Sequence, residues 1–165
     1  MSEKLRVSFN SPQCGWMSFE LKTGEQSLAE TVAHAPYDSL VDLINALVKL
    51  LHDDTKLTVT WAHDPDELDF NFSASGGEAS LVVEWYPDSL RAGATGERVF
   101  TFAGSRLDVC RPFLKALGDL QADIEVDEFA RNWRWEFPAR EMLRLAEAIE
   151  AGRPKQPRDA EPAAL

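Results

Sequence analysis

Leu5, Val7 and Phe9 alternate with Arg6, Ser8 and Asn10. This period of two gives a strand one dry face and one wet face. Met17, Phe19 and Leu21 alternate with Trp16, Ser18 and Glu20 in the same way, and Thr23 and Gly24 turn the chain into a weaker strand at about Gln26 to Ala33. The opening is therefore expected to be a β-meander. The period then changes: Leu40, Leu43, Ile44, Leu47, Val48 and Leu51 recur at the spacing of one face of a helix. Asp38 or Ser39 can accept hydrogen bonds from the free amides of its first turn, and Asp42 suits the positive end of its dipole.

Four further strands follow from Leu57, Val59 and Trp61; Leu68, Phe70 and Phe72; Leu81, Val83 and Trp85; and Phe100 and Phe102. The connections read as hairpins, with a proline between acids in Ala62 to Glu67, Gly76-Gly77 in the next, and a stretch from Pro87 to Glu97 long enough to be mobile. Ser105 and Asp108 resemble a capping box ahead of Leu107, Cys110, Leu114 and Leu117. That helix contains Pro112, which predicts either a kink or a start as late as Arg111. Phe129, Trp133, Trp135 and Phe137 share one parity and predict an aromatic last strand. Pro138 then opens a helix carrying Met142, Leu145, Ala146 and Ile149, with Gly152 as its stop.

The expected fold is α+β: a largely antiparallel sheet of about seven or eight strands with about three helices packed on one face, its strand order beyond reach. The 165 residues suit one domain, taken as 1–152, with Arg153 to Leu165 read as a disordered tail because it has three prolines and little to bury. Gly15-Trp16-Met17-Ser18-Phe19-Glu20-Leu21, the strand after it and the Leu40 to Leu51 helix resemble the opening of a group of small bacterial α+β proteins. The resemblance covers about the first third of the chain and implies a placement of strand and helix, with no activity, cofactor or substrate attached.

Charge narrows the partners. Seventeen Lys and Arg against 28 Asp and Glu give a net charge of −11, a field that repels nucleic acid and anionic membranes and favours a basic protein. The most apolar segment, Leu40 to Leu51, is too short and too often interrupted to span a bilayer. The early charges Glu3, Lys4 and Arg6 leave no uninterrupted apolar stretch for a signal peptide, so a cytoplasmic location is expected. Oligomeric state is open.

Chemical motifs are sparse. Cys14 and Cys110 are far apart in sequence and read as ordinary thiols. Cys14 could be served by His34 or His63 only through a coincidence that any such chain permits. His63, Asp64, Asp66, Glu67 and Asp69 concentrate metal-type ligands, but without the spacing of a calcium loop or a zinc site, and they read as a solvated turn. No glycine-rich phosphate cradle or nucleophile elbow occurs, and no cofactor is expected.

The surface is more informative. If Phe19, Trp61 and Phe72 face the helices, the opposite face of the sheet carries Trp16, Ser18, Glu20, Thr58, Thr60, Asp69, Asn71, Val82, Glu84 and Tyr86. Within it Trp16 and Tyr86 are candidate aromatic anchors, and Glu20, Asp69 and Glu84 are candidate acidic contacts for a basic partner. The plain alternative is that a loop or the tail covers the two aromatics. The leading expectation is a non-catalytic interaction module of the immunity or accessory type. The competing one is a small enzyme or ligand carrier whose site assembles around His34 or His63, and the third a subunit that self-associates through a sheet edge.

Overall fold

The computed structural model describes residues 3–123 and 126–152, so the tail predicted from Arg153 onward lies outside the described residues. Seven strands form one antiparallel sheet in plain chain order: β1 (Arg6–Phe9), β2 (Trp16–Thr23), β3 (Gln26–Ala33), β4 (Thr55–Ala62), β5 (Glu67–Ser75), β6 (Glu78–Tyr86) and β7 (Glu97–Ser105). Helix α1 (Ser39–His52) connects β3 to β4, and α2 (Arg106–Ala122), α3 (Val126–Trp133) and α4 (Ala139–Ala151) follow the sheet. This is the expected α+β architecture.

β3 and β4 pair only at Ala33 and Ala62, whereas the strands on either side pair along their full length. The sheet curls strongly. In a flat sheet β3 and β7 would lie about 19 Å apart, four strand spacings. Here the Gln26 side-chain amide donates to the Thr101 carbonyl and accepts from the Thr101 N–H, both at 3.0 Å. The curl also brings Phe19 of β2 edge-on to Phe70 of β5, with ring centroids 5.4 Å apart.

Inside the curl lies one core. Phe70 meets Phe19, Trp61, Phe72 and, from α2, Phe113. The apolar stripe of α1 closes over β4, and α4 packs on α1 and α2. Asp38 caps α1 by accepting from the Val41 N–H, and the Ser105–Asp108 capping box forms in both directions. Pro112 neither starts nor ends α2, which runs from Arg106; the proline gives up one backbone bond in the second turn while Phe113 and Val109 stay buried. Arg106 locks α2 to the end of α1, donating to the carbonyls of Leu50 and Asp53 at 2.6 Å and pairing with Asp54. It thereby satisfies the Leu50 carbonyl that α1 leaves open and the carbonyl of its C-cap, Asp53.

The predicted last strand is wrong. Phe129 and Trp133 stand four apart, a spacing that fits a helix turn as well as a strand, and both are buried from the short helix α3. Trp135 and Phe137, which extended the apparent alternation, lie in the turn that follows, and Trp135 is 40% exposed.

Candidate functional site

Cross-strand partners share a face, so the register defines the outer surface residue by residue. Trp16 is opposite Ala33, Ala33 opposite Ala62, Ala62 opposite Glu67, and Glu67 opposite Tyr86. One row thus runs across five strands, from one candidate aromatic anchor to the other. The next rows hold Ser18 with Thr31, and Thr60 with Asp69 and Glu84. The expected outer face is therefore the actual one, but its members are not equally free.

Asp69 is 5% exposed and Glu67 4%, because Arg91 reaches down onto them from the β6–β7 connection. The guanidinium meets Asp69 end-on, with Nη1 to Oδ2 and Nη2 to Oδ1 both at 2.7 Å, and meets Glu67 side-on through Nε and Nη2 at 3.3 and 3.0 Å. Its Cζ lies 3.8 Å from the centre of the Tyr86 ring. These bonds, first those to Asp69, hold the guanidinium firmly protonated. The Thr60 hydroxyl also donates to Asp69, and the Tyr37 hydroxyl donates to Glu67, which raises the pKa of that phenol. Asp69 is accordingly no open acidic contact, and Tyr86 no bare anchor. A two-residue alternation assigns a face but carries no information about a loop folding back over it.

Glu84 accepts from the Asn71 amide at 2.8 Å, and Asn71 in turn accepts from Thr58. Glu20 pairs with Lys22 at 3.3 Å and keeps a side chain 40% exposed. Trp16, at 39%, is the open aromatic of the set. It borders a groove of about 300 Å³, floored by Ala33 and Ala62 and walled by Pro36, Pro65 and Asp64, with Glu67 and Ser89 also lining it. Two cis peptides, Ala35–Pro36 and Asp64–Pro65, shape the walls. Behind the groove, Trp135 donates to the His34 carbonyl at 2.8 Å, so two exposed tryptophans flank the same segment.

Gly15 fixes the entry to β2. Its φ is +84°, and a Cβ there would stand 2.7 Å from His34 Nδ1. Only glycine fits both constraints. Its carbonyl receives the His34 backbone N–H at 3.0 Å and lies 3.1 Å from His34 Nδ1. His34 is thus engaged in holding the wall of the groove.

His63 sits between two carboxylates, Asp66 Oδ2 at 2.7 Å from Nδ1 and Glu30 Oε2 at 3.1 Å from Nε2. The Trp85 indole also donates to Asp66, at 2.5 Å. Burial alone would raise the Asp66 pKa, but the hydrogen bonds from Trp85 and His63 outweigh it and hold the carboxyl below its ordinary value. A carboxylate with a depressed folded pKa stabilises the fold above its unfolded pKa and loses that contribution as pH falls through the folded value. Asp66→Asn should therefore lower stability at pH 7, with the difference from wild type closing in acid; urea unfolding across pH 2 to 7 checks this.

The acidic run splits in two. Asp66 turns to His63, while Glu67 and Asp69 turn to Arg91 on the outer face. Among the described residues no group of three or more His, Cys, Asp or Glu is disposed to hold a metal ion. Among them also, no helix is long and apolar enough to cross a membrane.

The cysteines differ sharply. Cys110 is fully buried in α2, and burial pushes its thiol up to about 12, whereas Cys14 is exposed. Since the thiolate is the reactive form, iodoacetamide at pH 8 should add one label to the folded protein, at Cys14, and a second only in denaturant, as read by intact mass.

No family model matches the chain, and neither a curated protein nor a solved structure does.

Proposed function

We propose that this protein is a non-catalytic interaction module that binds a basic protein partner at the Trp16 end of its outer sheet face. The observation that supports this most is the groove beside Trp16. An exposed indole stands beside a floor of two alanines, with Asp64 at the margin and Glu20 on the same strand as Trp16. A half-exposed tryptophan beside a small-residue floor gives a partner side chain apolar area to cover, and the surrounding carboxylates favour a cation over an anion. The net charge of −11 would steer such a partner in.

The experiment begins with the partner that co-purifies at low salt and is released at high salt, identified by mass spectrometry. Its affinity is then measured against wild type and Trp16→Ala. A loss of about tenfold or more, with the melting temperature changed little, is expected for an anchor of this kind. Unchanged affinity, or loss of the fold, would count against the surface.

A second reading has one observation in its favour. Asp66, His63 and Glu30 form a chain of the acid–base type at the edge of a shallow groove lined by Ser8, Asn10, Ser18 and Thr31. A His63→Gln variant that keeps partner affinity and loses binding of a small molecule would shift the reading toward a ligand site.

A further inference from the structure

The carboxylates that hold Arg91 are positioned without it. Glu67 and Asp69 both lie on β5, paired on each side by a full-length strand, and Tyr37 and Thr60 orient them through hydroxyl bonds of 3.0 and 2.9 Å. Tyr86 supplies an aromatic face from the adjacent strand. With Arg91 over them both carboxylates are nearly dry, and two like charges held side by side on one strand favour a cation between them. The geometry selects a planar one, because end-on and side-on pairing together with stacking over a ring is what a guanidinium makes and an ammonium does not.

The occupant, by contrast, comes from the β6–β7 connection, where its backbone N–H donates to the Asp88 carboxylate at 2.9 Å. Residues 87–96 are more than a hairpin needs. Arg91 and Ala92 both have left-handed backbone, φ +56° and +36°, and Leu90 beside them is 86% exposed. Ser89 of this loop and Glu67 also line the Trp16 groove. A partner seated against Trp16 therefore has its side chains next to the site that Arg91 fills.

We propose that Glu67, Asp69 and Tyr86 form a guanidinium-binding site, filled by Arg91 in the free protein and by an arginine of the basic partner in the complex. This rests on the reading above and names the side chain that partner presents. Exchange replaces one guanidinium by another on the same acceptors. Its balance is then set by the partner's remaining contacts and by release of the left-handed loop, and only such differential interactions can shift the equilibrium.

The test uses Arg91→Ala, with Arg91→Gln as the milder variant should the first fold poorly. Methylguanidinium at about 10 mM should raise the melting temperature of the variant by several degrees, through preferential binding to the folded state. It should leave wild type unmoved, and ethylammonium should shift neither protein. Adding Asp69→Asn should abolish the rescue. A short peptide carrying one arginine should bind the variant at least tenfold more tightly than wild type, and its lysine counterpart should show no such gain.

Absence of rescue, or equal rescue by ethylammonium, overturns the proposal. Peptide affinity that depends on Trp16 but is the same with and without Arg91 leaves the groove reading standing and overturns the exchange. Affinity gained on removing Arg91 but indifferent to Trp16 upholds the guanidinium site and overturns the groove. Concentration-dependent dimers of wild type that disappear in Arg91→Ala would identify a second copy as the occupant and overturn the basic partner.

Discussion

Phe70→Ala is expected to destabilise the protein by about 3–5 kcal/mol, the range for deleting a fully buried aromatic ring. Phe70 is completely inaccessible and is the point where both halves of the curled sheet meet α2: its ring centroid lies 5.4 Å from Phe19, 5.6 Å from Trp61 and 6.5 Å from Phe113. Three structural units lose contacts at once, so the surroundings cannot collapse into the space by moving one element. For a chain of this size a loss of that order corresponds to a fall in melting temperature of roughly 10 °C. Phe70→Leu, which keeps much of the volume, should cost less than half as much. Urea unfolding of both variants checks the ratio, and equal losses would show that shape at this site matters more than volume.

Arg91→Ala should have the next largest effect, about 2–4 kcal/mol. Removing one partner of a buried ion pair costs roughly 3–5 kcal/mol, because the other charge is left without compensation. The Arg91 side chain is 29% exposed, so water enters and the figure is lowered. The decisive comparison is the triple variant Arg91→Ala with Glu67→Gln and Asp69→Asn. With the buried charges gone, most of the stability should return although even more hydrogen bonds have been deleted. If the triple variant is less stable than the single one, the loop's packing and not the charge is what Arg91 supplies.

The fold was legible where a local period and a boundary signal agree. Gln26 to Ala33, the α1 stripe closed by Asp38, and the Ser105–Asp108 box all lie where the residues place them. The two faces of the sheet were legible for the same reason, since parity survives any curvature. Curvature itself was not: alternation says that Phe19 and Phe70 point inward, but nothing in it says that strands three places apart will touch. Phe129 and Trp133 misled because a step of four is even and also close to one helical turn, and the chain carries no independent signal to choose between them.

The candidate site shows the same division. Trp16, Glu20, Asp69, Glu84 and Tyr86 do share a surface, as their parity required. That Asp69 is covered follows from Arg91, which is 22 positions away in a connection with no periodicity. Arginine in a polar loop reads as solvated, and only the folded path of the connection brings it onto the two acids. His63 was singled out for its acidic neighbours, and Asp66 is indeed its partner. Glu30 was missed, because it comes from β3 across the point where the sheet nearly parts.

The Gln26 amide on Thr101 bears on how molecules of this protein behave toward one another. Thr101 directs its N–H and carbonyl away from β6, and the glutamine side chain occupies both as an incoming strand would. A foreign peptide aligning with the centre of β7 must first displace that mimic, so pairing of another strand at Thr101 is opposed. Glutamine does this with a side chain alone, in the place a further strand would take.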